Sequence, residues 1–446
     1  MPDTVFEVFE ATARTHADRP AMRHKRQGSW QTTTWSQYRE SVRRASCGLV
    51  ALGAGPGTGV TIMGFDRPEW YIANTAAMMS GALPAGVYTT NTPEQCHYIA
   101  EHAEAAVAVV ENPEYLERFL AVRERLPLLK AIVVMEGEPR GEGVVSWEEL
   151  LERGASVNEA EIDARIATAG PDDVCTLIYT SGTTGNPKAV MLTHRNVSWI
   201  AAKMVELLDV KAEDRLISYL PLSHIAEQVA SMYLSMATGA CVHFAESIEK
   251  LGENLREVRP NVFLGVPRVW EKIQAGIQAA GAQNPPLKKK IAAWARGVGL
   301  KGGYADQRGE PRPWSYALAD RLVFSKVKAK LGLQETRFAV ASAAPMALET
   351  AEFFLSLGLP ILDIWGMSEL TGPATISLTS DYRTGRSGRP LPGSEMKIAE
   401  DGELLVRGPH VFKGYFKNEE ITRETIDAEG WLHTGDVAEL DAEGFL

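Results

Sequence analysis

The alternation of short apolar runs with amphipathic segments predicts an α/β protein. Apolar runs typical of buried strands occur at 60–63, 106–110 and 131–135. Between them, segments such as 70–80 and 92–102 have their apolar residues at helical spacing. Strands that alternate with helices in this way indicate an open, mostly parallel sheet. The same alternation resumes after residue 171.

We therefore expect two stacked α/β subdomains, at approximately 1–170 and 171–385. Residues 386–446 are rich in turns and short strands, which predicts a small β-barrel-like subdomain. Residues 281–320 interrupt the alternation and are rich in Gly, Pro and basic residues. Within them, Lys288, Lys289 and Lys290 precede apolar residues at helical spacing, which indicates a basic amphipathic helix. Such a helix is either a solvated surface element or a contact with a membrane surface.

Composition narrows the class of protein. The 446 residues are 45% hydrophobic and 23% charged, as in ordinary globular proteins. A formal charge of −11 argues against a nucleic-acid partner and suits small-molecule chemistry. The four cysteines show no paired spacing, so free thiols in a reducing, cytoplasmic compartment are expected, and a zinc site is not. No secretory signal or membrane-spanning run is evident, and a contact at the membrane periphery remains open.

The residues 179–194, YTSGTTGNPKAVMLTH, have the parts of a polyphosphate-binding loop. Glycines allow backbone N–H groups to turn toward an anion, hydroxyls add donors, and Lys188 adds a positive charge. The kinase-type phosphate loop needs lysine directly after its second glycine, whereas Asn186 and Pro187 intervene here. A Gly/Ser/Thr-rich surface loop is the alternative interpretation.

This loop resembles the signature of the adenylate-forming enzymes, which include acyl-CoA synthetases, luciferases and peptide-synthetase adenylation domains. Ala189 stands where that family usually has glycine. The resemblance implies that Lys188 is catalytic and that ATP is cradled by Thr180, Ser181, Gly182, Thr183, Thr184 and Gly185. It also implies that Thr180 contributes to a Mg²⁺ site.

Three further motifs follow in the order of that family. The segment 363–369 resembles its aromatic-G-x-T-E motif, so Glu369 is expected to bind Mg²⁺ and Ser368 to contact the α-phosphate and the acyl carboxylate. Trp365 would then stack on adenine and Asp363 accept its amino group, with Ile364, Gly366 and Met367 beside the nucleotide. Ala343, Ala344 and Pro345 resemble the adenine wall. Asp436 in Thr434-Gly435-Asp436 would bind the ribose hydroxyls, because a carboxylate accepts two donors at once.

Two residues are expected on the acyl side. His224 resembles the histidine at the carboxylate end of the acyl site, which Gly366 also borders. Trp270 resembles the gate of the fatty-acid tunnel, although a core tryptophan is an equal alternative. The insertion and the residues around His224 resemble the long-chain, bubblegum-type branch.

The function implied by the resemblance is activation of a long-chain fatty acid with ATP and Mg²⁺, followed by transfer to coenzyme A. The alternatives are a ligase for aryl or medium-chain carboxylates and a non-catalytic acyl or nucleotide binder. Members of the family continue into a mobile C-terminal domain that bears a further lysine, and the chain resembles their large N-terminal domain alone. By itself it is expected to be poorly active. A homodimer is a further expectation.

Overall fold

The computed structural model describes residues 4–180 and 185–446. Helices and parallel strands alternate along it, which confirms the predicted α/β class. The α-helices are Val5–Thr15, Trp35–Ala51, Pro68–Met79, Pro93–His102, Pro113–Leu120, Trp147–Arg153, Glu159–Thr168, His194–Leu208, Ile225–Glu227, Leu234–Thr238, Leu251–Val258, Pro267–Ala282, Pro286–Gln307, Tyr316–Ala319, Ser325–Leu331, Leu348–Leu355 and Glu419–Thr425. Two π-helical turns, Gln228–Tyr233 and Asp320–Phe324, continue helices, and 3₁₀ turns lie at Arg123–Arg125, Gly154–Ser156 and Ser368–Leu370.

Local sequence explains where several helices begin. Thr34, Thr92 and Thr193 each accept a hydrogen bond from the backbone three residues later, where Gln or Asn returns a bond to the threonine N–H. These reciprocal bonds satisfy backbone donors that a helix leaves unpaired at its first turn.

The largest sheet has eight strands, in the order Gly414–Tyr415, Lys188–Thr193, Val174–Thr180, Leu83–Val87, Gly59–Met63, Ala105–Val110, Ala131–Val134 and Val144–Ser146. The strands at 59–63, 105–110 and 131–134 are buried along their whole length. Strands covered on both faces read as continuous apolar runs, which is why they were predictable.

Two further sheets lie beside it. A four-stranded sheet has the order Arg215–Ser218, Cys241–Phe244, Pro20–Arg26 and Ser29–Thr34, and a three-stranded parallel sheet has the order Val262–Gly265, Phe338–Ala341 and Ile361–Asp363. The predicted division near residue 170 does not coincide with a division between sheets. The N-terminal strand Pro20–Arg26 pairs with Cys241–Phe244, and Val174–Thr180 joins the largest sheet. The domain division stays a prediction.

The last part of the chain is mainly antiparallel. Glu395–Ile398, Glu403–Arg407 and Leu432–Val437 form a three-stranded sheet, and short pairs join Gly366–Met367 to Gly372–Pro373 and Thr375–Ile376 to Arg389–Pro390. Nothing within the described part of the chain forms a helix that is both long and apolar enough to cross a membrane.

Candidate functional site

The base of the predicted phosphate loop is held by an antiparallel strand pair. Thr180 ends one strand and Lys188 begins the next, and the two residues lie opposite each other in the register. Ser181, Gly182, Thr183 and Thr184 lie outside the described residues. Gly185 has a φ of +107°, which favours glycine, and the space where a side chain would project is open.

Lys188 is linked to Glu369 through a residue that the sequence did not single out. The Lys188 Nζ lies 4.9 Å from the centre of the Tyr415 ring. The Tyr415 hydroxyl donates a hydrogen bond of 2.8 Å to Glu369 Oε1. The pKa of Tyr415 is raised, mainly because the side chain is buried. Lys188 and Glu369, at the two ends of this series of contacts, are both residues that the family resemblance placed on the ATP polyphosphate.

The turn around Glu369 is fixed by the segment that precedes Tyr415. Ser368 and Glu369 are buried at the start of the 3₁₀ turn Ser368–Leu370. The backbone N–H of Phe412 donates to the Glu369 carbonyl, and Thr371 Oγ1 donates to the His410 carbonyl at 2.7 Å. Since Gly414–Tyr415 pairs with the strand Lys188–Thr193, one segment aligns both sides of the site.

A cavity of 150 Å³ opens beside this turn. Its walls are mostly apolar, and polar atoms enter from only a few side chains, a composition usual for a small-molecule site. The residues that line it include Met204, Leu208, His224, Val229, Val262, Leu264, Val340, Ser342, Ala343, Ile364, Gly366, Met367 and Ser368. The structure therefore brings the predicted acyl-side residues His224 and Gly366 together with the predicted nucleotide residues Ala343, Ile364, Met367 and Ser368.

His224 is held as a neutral hydrogen-bond donor toward the cavity. Its Nδ1 accepts the backbone N–H of Ala226 at 3.1 Å, and burial lowers its pKa. An imidazole that accepts at Nδ1 carries its proton on Nε2. The remaining N–H can donate to an oxygen atom of a ligand.

The nucleoside end of the site is formed by residues from distant parts of the chain. The Trp365 indole Nε1 donates to Asp436 Oδ2 at 2.9 Å, so the two predicted nucleoside contacts touch each other. Asp363 ends a strand next to Ala341, and burial raises its pKa to about 7. Ala343, Ala344 and Pro345 are exposed beyond the neighbouring strand.

Two backbone positions here restrict the residue type. Gly366 is opposite Pro373 in a short antiparallel pair, and a Cβ on Gly366 would overlap the carbonyl oxygen of Gly372. Ala343 has a φ of +75°, a conformation that costs a residue with a side chain about 1–2 kcal/mol.

Trp270 is completely buried, and its indole Nε1 donates to the carbonyls of Gly265 and Val340 at 3.1 Å each. Its ring packs edge-on against Phe263 and Phe354. It is not among the described residues that line the cavity. This arrangement favours the core interpretation of Trp270, and its role as a gate stays a prediction.

The sequence profile described as "AMP-binding enzyme" matches residues 9–416, so the chain belongs to this family. It is 41% identical to the long-chain-fatty-acid–CoA ligase ACSBG2 of Xenopus laevis, over 100% of this chain and 62% of the relative. It is 39% identical to ACSBG2 of Homo sapiens, over 100% of this chain and 69% of the relative.

The chain therefore spans less than two thirds of the length of the Xenopus relative. Solved structures agree with the fold. The anthranilate CoA ligase AuaEII in complex with anthranoyl-AMP superimposes with a TM-score of 0.77 at 21% identity, over 100% of this chain and 77% of that one. The N-terminal domain of FACL13 from Mycobacterium tuberculosis gives 0.75 at 20% identity, over 99% and 98%.

Proposed function

We propose that the chain is the large N-terminal domain of an AMP-forming long-chain fatty acid–CoA ligase. The two ACSBG2 relatives are long-chain-fatty-acid–CoA ligases, which supports this substrate class. The near-complete overlap with the N-terminal domain of FACL13 supports the domain assignment. ATP, the fatty acid and coenzyme A are the proposed substrates.

One observation carries the proposal. The contact chain Lys188–Tyr415–Glu369 leads from the predicted phosphate loop to a buried turn, and the next residue of that turn, Ser368, lines an apolar cavity. A triphosphate at the loop and an apolar acid in the cavity would meet at Ser368. Adenylation needs that meeting, because the carboxylate must approach the α-phosphate.

In the first step, a carboxylate oxygen of the fatty acid attacks the α-phosphorus of ATP. The bond from this phosphorus to the bridging oxygen of the β-phosphate breaks, and pyrophosphate leaves. His224 donates its Nε2 proton to the carboxylate as a hydrogen bond, and Lys188 offsets charge on the phosphates. Two anions that repel each other are thereby aligned, and positioning of this kind lowers the barrier.

The residues at the site fit a magnesium ion carried by ATP. Glu369 is a buried carboxylate that forms no ion pair with any residue in 4–180 or 185–446, and Thr180 offers a hydroxyl at the base of the loop. Magnesium bound with a nucleotide usually takes one or two carboxylates plus phosphate oxygens. When bound, it neutralises charge on the leaving pyrophosphate.

In the second step, the sulfur of coenzyme A attacks the acyl carbon of the adenylate. The acyl–oxygen bond breaks, AMP leaves, and the thiol proton is released. A cytoplasmic location, a peripheral membrane contact and a homodimer belong to the same proposal.

The test is mass spectrometry of the products from a panel of fatty, medium-chain and aryl acids with ATP, with hydroxylamine to trap the acyl-adenylate. Long-chain acyl hydroxamates, AMP and pyrophosphate are expected. Products from aryl or medium-chain acids alone would reassign the substrate. Nucleotide binding without any adenylate, in a form extended to the full length of the relatives, would make the chain a binder, and ADP release would indicate a kinase.

A further inference from the structure

Large apolar side chains are exposed within one short part of the chain. Among the described residues, five of the nine exposed large apolar side chains lie between 287 and 322. Trp314 is 93% exposed and Leu287 is 70% exposed, and the others are Trp294, Leu318 and Leu322. Grouped exposure of this kind marks an interaction surface, whereas single exposed apolar residues are ordinary.

The same part of the chain has the opposite charge to the rest. Residues 283–330 contain eleven Lys and Arg but three Asp and Glu, a net charge of +8, which leaves −19 for the remainder. All three acidic residues are already paired within the segment, with Arg308, Arg312 and Lys328. Within the chain as described, the following form no ion pair: Lys288, Lys289, Lys290, Lys301 and Arg321.

These residues lie on the helix Pro286–Gln307 and on the segment 314–322, whose turns pack against that helix. The helices Pro267–Ala282 and Pro286–Gln307 are joined by a short connection, and no residue from 275 to 294 is buried. These two helices form the hairpin. The second half of its helix Pro286–Gln307 is anchored, because Gly299, Gly302 and Gly303 pack closely on neighbouring residues. At its tip, Leu287, Ile291 and Trp294 lie at positions that share one side of a helix.

We propose that the hairpin surface, residues 287–294 with 314–322, docks on an anionic lipid bilayer. Tryptophan favours the boundary between lipid and water, and lysine is attracted to anionic headgroups. Seven of the eleven basic residues are lysines, a residue type depleted at protein–protein interfaces. This composition favours a lipid surface over an acidic protein partner.

The location of the hairpin gives the docking a purpose that rests on the proposed function. Helix Pro267–Ala282 begins directly after the strand Val262–Gly265, and Val262 and Leu264 line the acyl cavity. A long-chain fatty acid partitions into bilayers because each buried methylene is favourable by about 0.8 kcal/mol. Docking of the hairpin brings the acyl side of the protein to the phase in which its substrate is dissolved.

The experiment is flotation of the chain with vesicles of phosphatidylcholine, with or without phosphatidylserine. Binding to the anionic vesicles that weakens as salt is added is expected. Lys288→Gln, Lys289→Gln and Lys290→Gln together should lower partitioning roughly 100-fold, and Trp314→Ala roughly tenfold. Lys211→Gln and Leu128→Ala are the matched controls on other surfaces and should bind as the parent does.

Absence of binding to anionic vesicles overturns the proposal, and so does binding that the lysine and Trp314 variants leave unchanged. Capture of an acidic protein without vesicle binding assigns the surface to a protein partner instead. Acyl-adenylate formation from a long-chain fatty acid in vesicle-free buffer is measured in parallel, with a form extended to the full length of the relatives. Its absence there would count against the proposed function and leave the vesicle result independent.

Discussion

Trp270 and Trp314 belong to the same helical region but have opposite surroundings. Trp270 has no exposed surface, two carbonyl partners and two aromatic neighbours. Trp314 is 93% exposed. Trp270 stabilises the fold beside the apolar cavity, whereas Trp314 contributes little to the fold and is free to contact another phase.

The same contrast holds for charge. Glu369 and Lys188 are joined through Tyr415 in a partly buried chain of contacts, so each depends on its neighbours. The lysines at 288–290 are exposed and act independently of one another. Single substitutions should therefore have large effects at the site and small, additive effects on the hairpin.

The largest expected difference is in stability. Trp270→Ala should lower the free energy of unfolding by about 4 kcal/mol, because it leaves a cavity and removes the indole hydrogen bonds to two carbonyls. Trp314→Ala should change it by less than about 0.5 kcal/mol. The free energies of unfolding of both variants are measured by urea denaturation. Equal losses of stability would contradict the contrast between Trp270 and Trp314.

In a form extended to the full length of the relatives, Glu369→Ala should abolish acyl-adenylate formation, a loss of at least about 100-fold, because the charged group proposed to act on the polyphosphate side is removed. The fold should remain intact by circular dichroism. Lys211→Gln, on an exposed surface, is the control for a loss of charge. Turnover with a normal dependence on Mg²⁺ would remove Glu369 from the metal site.

Tyr415→Phe should raise the Mg²⁺ concentration needed for half-maximal adenylation about tenfold, because it deletes one hydrogen bond to a charged group. It keeps the aromatic ring beside Lys188. Tyr415→Leu removes both contacts and should have the larger effect on the KM for ATP. Identical behaviour of the two variants would show that only the bulk of the side chain matters.

Asp363 should make ATP binding dependent on pH. Burial raises its pKa to about 7, and the carboxylate accepts a hydrogen bond from the proposed adenine amino group more strongly than the protonated carboxyl does. Below pH 7 the protonated form dominates, so affinity should fall up to about tenfold per pH unit, and above pH 7 it should level off. In Asp363→Asn this component should disappear. Measuring ATP affinity against pH for both proteins separates this component from the protonation of ATP. Identical pH profiles would exclude Asp363 as its source.

The smallest expected effect is that of Ala343→Gly. Glycine relieves the strain at a φ of +75° but adds freedom to the unfolded chain. The net change in the free energy of unfolding should be below about 1 kcal/mol. Ala344→Gly, at a residue without positive φ, is the control and should be the less favourable of the two. The opposite order would show that Ala343 is unstrained.

Local patterns predicted the strands of the largest sheet, because a strand buried on both faces is apolar throughout. The motifs around Lys188, Asp363 and Glu369 were also evident from sequence, since each lies at a junction between a strand and a loop. Tyr415 was missed. The strand Gly414–Tyr415 has only two residues, too few for any periodicity. Tyr415 matters because this strand pairs with Lys188–Thr193.

The residue types available for the chemistry and their order could be read from the amino-acid sequence, because motifs depend on neighbouring residues. Which of these residues meet depends on the folded protein. It joined Trp365 to Asp436, paired Pro20–Arg26 with Cys241–Phe244 and placed Trp270 in the core. Such contacts depend on packing between segments far apart in the chain, and no local pattern records that packing.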